Sequence, residues 1–217
     1  MQGTLIERAS FAGRHDFDLL PRSVDIQVQP AEVPELSPLA EMANRLVPGV
    51  QIGADNLARY FEFDPNCILT FRRRGKLLGA VAFLYLNDAG LDALVLDEMS
   101  LTHPDMKFLA RQDEEVSAIY VWAIAGQGRA MAGLGNVSEH LSRPRLVFAD
   151  LYAHPATAAG RDLMVTLGFK PIPSFQPDLW CYERPWNRMP KAGAGVETLS
   201  YRPTTYHPTR SIADARY

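Results

Sequence analysis

The stretch VWAIAGQGRAMAGLG, residues 121–135, decides how the chain is read. It opens as an apolar run of strand character. It breaks at Gly126 and Gly128 and continues into residues that predict a helix over 130–141. A helix N-terminus presents unpaired N–H groups and the positive end of its dipole, and small residues let an anion approach that backbone. Gly126, Gly128 and Ala130 supply the smallness, and Arg129 adds a charge able to pair with phosphate. The turn is not a dinucleotide-binding fingerprint, because Met131 stands where the third glycine would be, and no Gly-Lys-Ser/Thr follows to make it a Walker loop. Taken alone it reads equally as a phosphate cradle or as a tight turn.

The surrounding pattern is mixed. SVDIQVQP (23–30) alternates Val24, Ile26 and Val28 and reads as a half-buried strand. Leu36, Leu39, Ala40, Ala43, Leu46 and Val47 recur at helical spacing after Ser37-Pro38, and residues 55–63 predict a second short helix. CILTFRRRGKLLGAVAFLYL (67–86) reads as an antiparallel hairpin around Arg74-Gly75. Residues 87–115 are acidic and read as an inserted connection with a short helix. EVSAIYVWAI (115–124) is the most strand-like segment, and RLVFADLY (145–152) predicts another strand. HPATAAGRDLMVTLGF (154–169) reads as a helix opened by Pro155 and closed at Gly168, with FKPI (169–172) and LWCYER (179–184) as short closing strands. The order predicts the α/β class in its mixed α+β form: a twisted mixed sheet of about six to seven strands flanked by about four helices.

The chain has 217 residues, 47% of them hydrophobic, which suffices for one sizeable core or one domain plus a tail. Residues 1–22 read as an N-terminal arm, 23–184 as the domain and 185–217 as a basic tail. From Arg184 onward six Lys or Arg face two acids, while the preceding residues are net acidic. The tail has three readings: it wraps its own domain, covers the second subunit of a homodimer, or stays mobile. A net charge of −3 gives no global case for nucleic-acid binding. Cys67 and Cys181 are too few for a disulfide framework and read as reduced thiols of a cytoplasmic protein. No CxxC pair occurs and the five histidines are scattered, so no metal site is expected. The charged N-terminus makes a poor signal peptide, and no window approaches the roughly 18 consecutive apolar residues of a membrane span.

The pairing of strand, glycine turn and helix with a second strand, helix and Leu-Gly-Phe resembles the GNAT superfamily of acyl-CoA-dependent N-acyltransferases. The family's long strand ends in Gln/Arg-x-x-Gly-x-Gly/Ala, whose amides hold the pyrophosphate of coenzyme A. Here Ala125-Gly126-Gln127-Gly128-Arg129-Ala130 lies on that pattern, with Gly128 and Ala130 matching and Ala125 in the first position. The later motif is Asn-x-x-Ala-x-x-Leu-Tyr-x-x-x-Gly-Phe. TAAGRDLMVTLGF (157–169) fits its spacing, with Thr157 for Asn, Gly160 for Ala, Met164 for Tyr, and Leu163, Gly168 and Phe169 matching. The resemblance covers residues 23–184.

The resemblance implies an acetyl-CoA or other acyl-CoA co-substrate and an amine acceptor, either a small molecule or a protein. Trp122, Ala123 and Ile124 would line the pantetheine gap, and Thr157 would join the cofactor contacts. Some relatives place a Glu general base ten residues before the loop pattern, which here is Glu115. A carboxylate can relay a proton from an ammonium group. The solvated reading of Glu115, within Asp113-Glu114-Glu115, stands beside the catalytic one. Met164 has no proton to give the departing thiolate. Three routes follow: Tyr152 or His154 substitutes, the thiolate leaves unassisted, or the domain binds acyl-CoA or a protein partner without transfer. The acidic connection 87–115 would favour a cationic amine.

Overall fold

A computed structural model describes residues 16–47, 52–126 and 128–188. Seven strands form one sheet in the order β1-β2-β3-β4-β5-β7-β6: β1 (Gln27–Pro30), β2 (Ile68–Arg73), β3 (Lys76–Leu86), β4 (Ala118–Gly126), β5 (Asp150–Ala153), β6 (Lys170–Pro171) and β7 (Trp180–Tyr182). The helices are α1 (Leu36–Leu46), α2 (Ala54–Phe63), α3 (Asp88–Val95), α4 (Leu134–Leu141), α5 (Ala158–Thr166) and the four-residue α6 (Pro185–Arg188). All pairings among the described strands are antiparallel except β4 with β5, which are joined by the crossover through α4. The β2–β3 hairpin turns at Arg74 (φ 51°) and Gly75 (φ 75°). Two successive positive φ values match the twist of the flanking strands.

Side-chain alternation sorts the helices onto two faces. Ala80, Ala82, Ala123 and Ala125 lie opposite one another across β3 and β4 on one face. These short side chains leave room for α1, which packs there through Leu36, Leu39, Ala40 and Ala43. The other face carries Phe71 and Val81. There an added Cβ on Gly133, just before α4, would lie 2.7 Å from Phe71 and 2.8 Å from Ile26. So α1, α2 and α3 cover one face, with α4 and α5 on the other.

Several boundaries differ from the sequence reading. The strand expected over 23–30 begins at Gln27, and Val24 is fully exposed. Asn136 holds the backbone instead, accepting from Ser23 N–H (2.8 Å) and donating to the carbonyls of Ser23 (3.1 Å) and Ile26 (2.9 Å). The strand expected over 145–152 begins at Asp150. Arg145 is drawn away to Asp64 (2.7 Å) and to the carbonyls of Arg111 (2.6 Å) and Ala110 (3.1 Å). The helix expected over 130–141 is a 3-10 turn, Gly128–Gly133, that runs into α4. The helix expected over 154–169 begins at Ala158 and closes at Gly168 (φ 87°), where Phe169 N–H returns to the Met164 carbonyl at 2.9 Å.

The described part of the arm is anchored. Phe17 is buried, Asp18 pairs with the fully buried Arg184, and the Tyr182 hydroxyl donates to Asp16. The readings of the tail from residue 189 lie outside the described residues. No helix among the described residues is long and apolar enough to cross a membrane.

Candidate functional site

β4 is longer than its parallel neighbour. The register runs Ala118↔Asp150 to Val121↔Ala153, and β5 then ends. From Trp122 to Gly126 the β5 side of β4 has no strand partner among the described residues. At the same place the β3–β4 register slips: Ala82 opposes Ala123 and Phe83 opposes Val121, so Trp122 is the extra residue of a β-bulge. A bulge bends and twists its strand, which turns β4 away from β5. The result is a wedge with a row of backbone N–H and C=O groups along one wall. Such groups need partners, and an extended amide-bearing chain is suited to supply them.

The wedge ends in the glycine turn. Ala125 and Gly126, expected in the turn, belong to β4 and pair with Ala80 and Gly79. Close packing explains the placement: Ala125 is buried under the α1 face, and a Cβ on Gly126 would lie 2.7 Å from Met131 and 2.9 Å from Ala130. Gln127 lies outside the described residues. Gly128 opens the 3-10 turn, Arg129 is exposed, and Ala130 is fully buried, so Ala130 has only its backbone to offer a ligand.

The Trp122 side chain is already engaged by other residues. Its Nε1–H donates to the Leu101 carbonyl at 2.6 Å, and its ring meets Tyr60 of α2 edge-on, with centroids 5.0 Å apart. Trp122 therefore offers the wedge its backbone. Ala123 and Ile124 alternate between the two faces, Ala123 toward α1 and Ile124 toward the α4 side.

Tyr152 stands opposite Tyr120 in the parallel register and opposite Cys181 of β7, on the α1–α2 face just before β5 ends. Burial first, then neighbouring Cys181, Asp150 and Glu183, push its hydroxyl well above the usual tyrosine range. Burial does the same to Tyr120. Both phenols stay protonated at neutral pH, so Tyr152 holds a proton beside the wedge. His154 follows β5 and is exposed.

Thr157 is the N-cap of α5 and accepts from Gly160 N–H at 2.9 Å. Its own hydroxyl proton remains available to a ligand. Met164, at the position of the family's tyrosine, is buried at 6% exposure. Glu115 is exposed and lies three residues ahead of β4, at the end remote from the glycine turn. The strand from Ala118 to Trp122, roughly 13 Å of extended chain, lies between it and the wedge, so a proton relay from it runs through water. Among the described residues no group of three or more His, Cys, Asp or Glu is placed to hold a metal ion.

Tyr60, Tyr120 and the carbonyls of Leu101 and Pro104 were not legible as site features in the sequence. Gly79 was. An isolated glycine inside an apolar strand marks a bulge or a close backbone approach, and a Cβ there would lie 2.3 Å from the Ala125 carbonyl oxygen.

No protein-family model matches the chain, and no curated protein matches it. Solved structures do. The loading GNATL domain of CurA from Lyngbya majuscula superposes with a TM-score of 0.50 at 11% identity, over 73% of this chain and 97% of that domain. Arabidopsis thaliana Naa50, in complex with the bisubstrate analogue CoA-Ac-MVNAL, gives 0.44 at 12% identity over 73% and 96%. The GphF GNAT-like decarboxylase in complex with isobutyryl-CoA gives 0.42 at 14% identity, over 58% of this chain and 64% of its own. The last two likenesses are weaker, and the assignment rests on the first together with the sheet order and the wedge. The chain has the fold of the GNAT superfamily.

Proposed function

We propose that the chain is an acyl-CoA-dependent N-acyltransferase, using acetyl-CoA by preference, with an amine as acceptor. The observation that carries this reading is the wedge. β4 leaves β5 at a bulge, exposes the backbone of Trp122–Gly126, and ends in a glycine turn at a helical N-terminus. The β4 backbone pairs with the amides of the pantetheine arm. The amides opening the 3-10 turn at Gly128 hold the pyrophosphate, with Gly126 keeping the approach free of side chain, Arg129 adding positive charge and Thr157 contributing its hydroxyl.

The neutral amine nitrogen attacks the thioester carbonyl and forms the C–N bond. A backbone N–H of β4 supports the oxyanion. The C–S bond breaks and sulfur leaves with the electron pair. Tyr152 supplies the thiolate with a proton and regains one from water; burial, which raises its pKa, works against that transfer and leaves its position as the argument for the role. The proton lost by the amine passes to water, with Glu115 as relay.

Calorimetric titration with acetyl-CoA and with free coenzyme A tests the reading first. Absence of binding at millimolar ligand defeats it. Gly128→Val is expected to abolish pyrophosphate binding, and unchanged affinity refutes the placement of the turn. A thiol-release assay then separates enzyme from binder. Tyr152→Phe and Glu115→Gln are each expected to lower turnover by about 10²-fold with cofactor affinity retained. Full activity removes that residue from the mechanism.

Buried Met164, which has no exchangeable proton, favours a second reading: a module that binds acyl-CoA, or a protein partner, in a regulatory role without rapid transfer. Tight acetyl-CoA binding with no thiol release from any amine supports that reading.

A further inference from the structure

β3 and β4 are adjacent and antiparallel, a connection usually made by about 2–5 residues. Here residues 87–117 intervene. Their middle part lies on the face of α1 and α2, where Tyr60 of α2 and the Trp122 ring beside it both reach it. Besides its bonds from Arg145, the segment is tied to three elements around the wedge. The Tyr60 hydroxyl of α2 donates to the Pro104 carbonyl at 2.9 Å, and Trp122 of the bulge donates to Leu101 at 2.6 Å. At the end of α3 the Val95 carbonyl accepts from Phe175 N–H at 2.9 Å and Gln176 N–H at 3.4 Å, in the β6–β7 connection. That connection enters β7 beside Ala153, at the end of the sheet where the wedge opens.

Given the proposed function, the cofactor arm fills the wedge and its pyrophosphate sits at the glycine turn. The amine must then arrive on the face that carries Tyr120 and Tyr152. Residues 87–117 span this face from α2 to the β6–β7 connection. We propose that the segment is a fixed acceptor wall that excludes extended peptides and admits a small cationic amine with an apolar body. An extended chain crossing the face would have to break the bonds to Tyr60, Trp122 or Phe175. A compact amine enters beside the Val95–Phe175 junction. That junction carries two exposed apolar side chains, Leu96 (45% exposed) and Phe175 (75% exposed), and next to them the exposed acids Asp97 and Glu98. The apolar pair covers the body of the amine, and the acids draw its ammonium group to the entrance.

The test uses the full chain. Acetyl-CoA binding is measured first by calorimetry, and its absence brings down the cofactor reading and this inference with it. With binding established, thiol release is followed for 2-phenylethylamine, for a diaminoalkane, and for two peptides, one offering its N-terminus and one an internal lysine. Phenylethylamine is expected to exceed both peptides in kcat/KM by on the order of 100-fold. Leu96→Ser and Phe175→Ser, both at exposed positions, are expected to raise its KM about tenfold with acetyl-CoA affinity unchanged. Peptide turnover equal to that of phenylethylamine overturns the wall while leaving the cofactor reading intact. So does an unchanged KM in both variants. Acetyl-CoA binding without turnover or calorimetric binding of any of the amines also overturns it.

Discussion

Replacing Gly79 with alanine separates the cradle's position from the fold's stability. The added Cβ would lie 2.3 Å from the Ala125 carbonyl oxygen, 2.6 Å from Gly126 Cα and 3.2 Å from the Ala125 carbonyl carbon. All three are backbone atoms, so no side chain can rotate aside. Restoring ordinary contact requires the end of β4 to retreat by roughly 1 Å. Overpacking of this kind costs about 1–3 kcal/mol. For a domain of this size that lowers Tm by about 2–12 °C. Ala125 and Gly126 lead directly into the turn at Gly128, so the displacement reaches the pyrophosphate cradle. A shift of about 1 Å at a binding geometry can cost on the order of 10²-fold. Scanning fluorimetry reads the stability and calorimetry reads the affinity for coenzyme A. Gly53→Ala is the control, since no atom lies within 4 Å of the added Cβ there. A lowered Tm with coenzyme A affinity unchanged would refute the coupling between Gly79 and the cradle. An unchanged Tm would refute the packing argument as well.

Arg184→Met is expected to destabilise the chain by about 3–5 kcal/mol in denaturant titration, because Asp18 is left without its buried partner and the Leu141 carbonyl (2.7 Å) without its donor. Adding Asp18→Leu is expected to recover part of the loss; no recovery removes the ion pair from the account. Burial, reinforced by Arg143 and opposed by Asp64, holds His140 down to about 4. The unfolded chain, with an ordinary histidine near 6.5, binds the extra proton between those values. Stability from this group is therefore complete above about pH 6.5 and is lost as pH falls toward 4. The fall in Tm from pH 7 to pH 4 is expected to be smaller in His140→Leu than in the parent chain, and equal slopes would contradict this. Thr157→Ala removes the cap of α5 and is expected to cost about 1 kcal/mol. A loss near zero would mean that Gly160 N–H finds another acceptor.

Short-range chemistry was legible in the sequence. The α1 stripe of Leu36, Leu39, Ala40 and Ala43, the hairpin turn at Arg74-Gly75 and the closure of α5 at Gly168 each depend on spacing or on a positive φ that few residues adopt. The motif around Gly128 and the later Leu-Gly-Phe pointed to the GNAT fold that the sheet order bears out. Where long-range partners compete with local preference, local reading failed. Asn136 holds residues 23–26 out of the sheet, and Arg145 keeps the segment before Asp150 in turns. Ala125 and Gly126 look like loop residues because they are small, yet they are small because α1, Met131 and Ala130 press on them.

The sequence by itself determined where the chain can turn, which faces are apolar, and that Met164 brings no proton to its position. Tertiary structure alone decided that Trp122 is the odd residue of a bulge and that β5 stops at Ala153 while β4 continues. It also brought Tyr60, Leu101 and Phe175, far apart in the chain, to one face of the wedge. The physical reason is register. A bulge and a splayed edge are mismatches between two strands, and neither strand carries the mismatch in its own sequence.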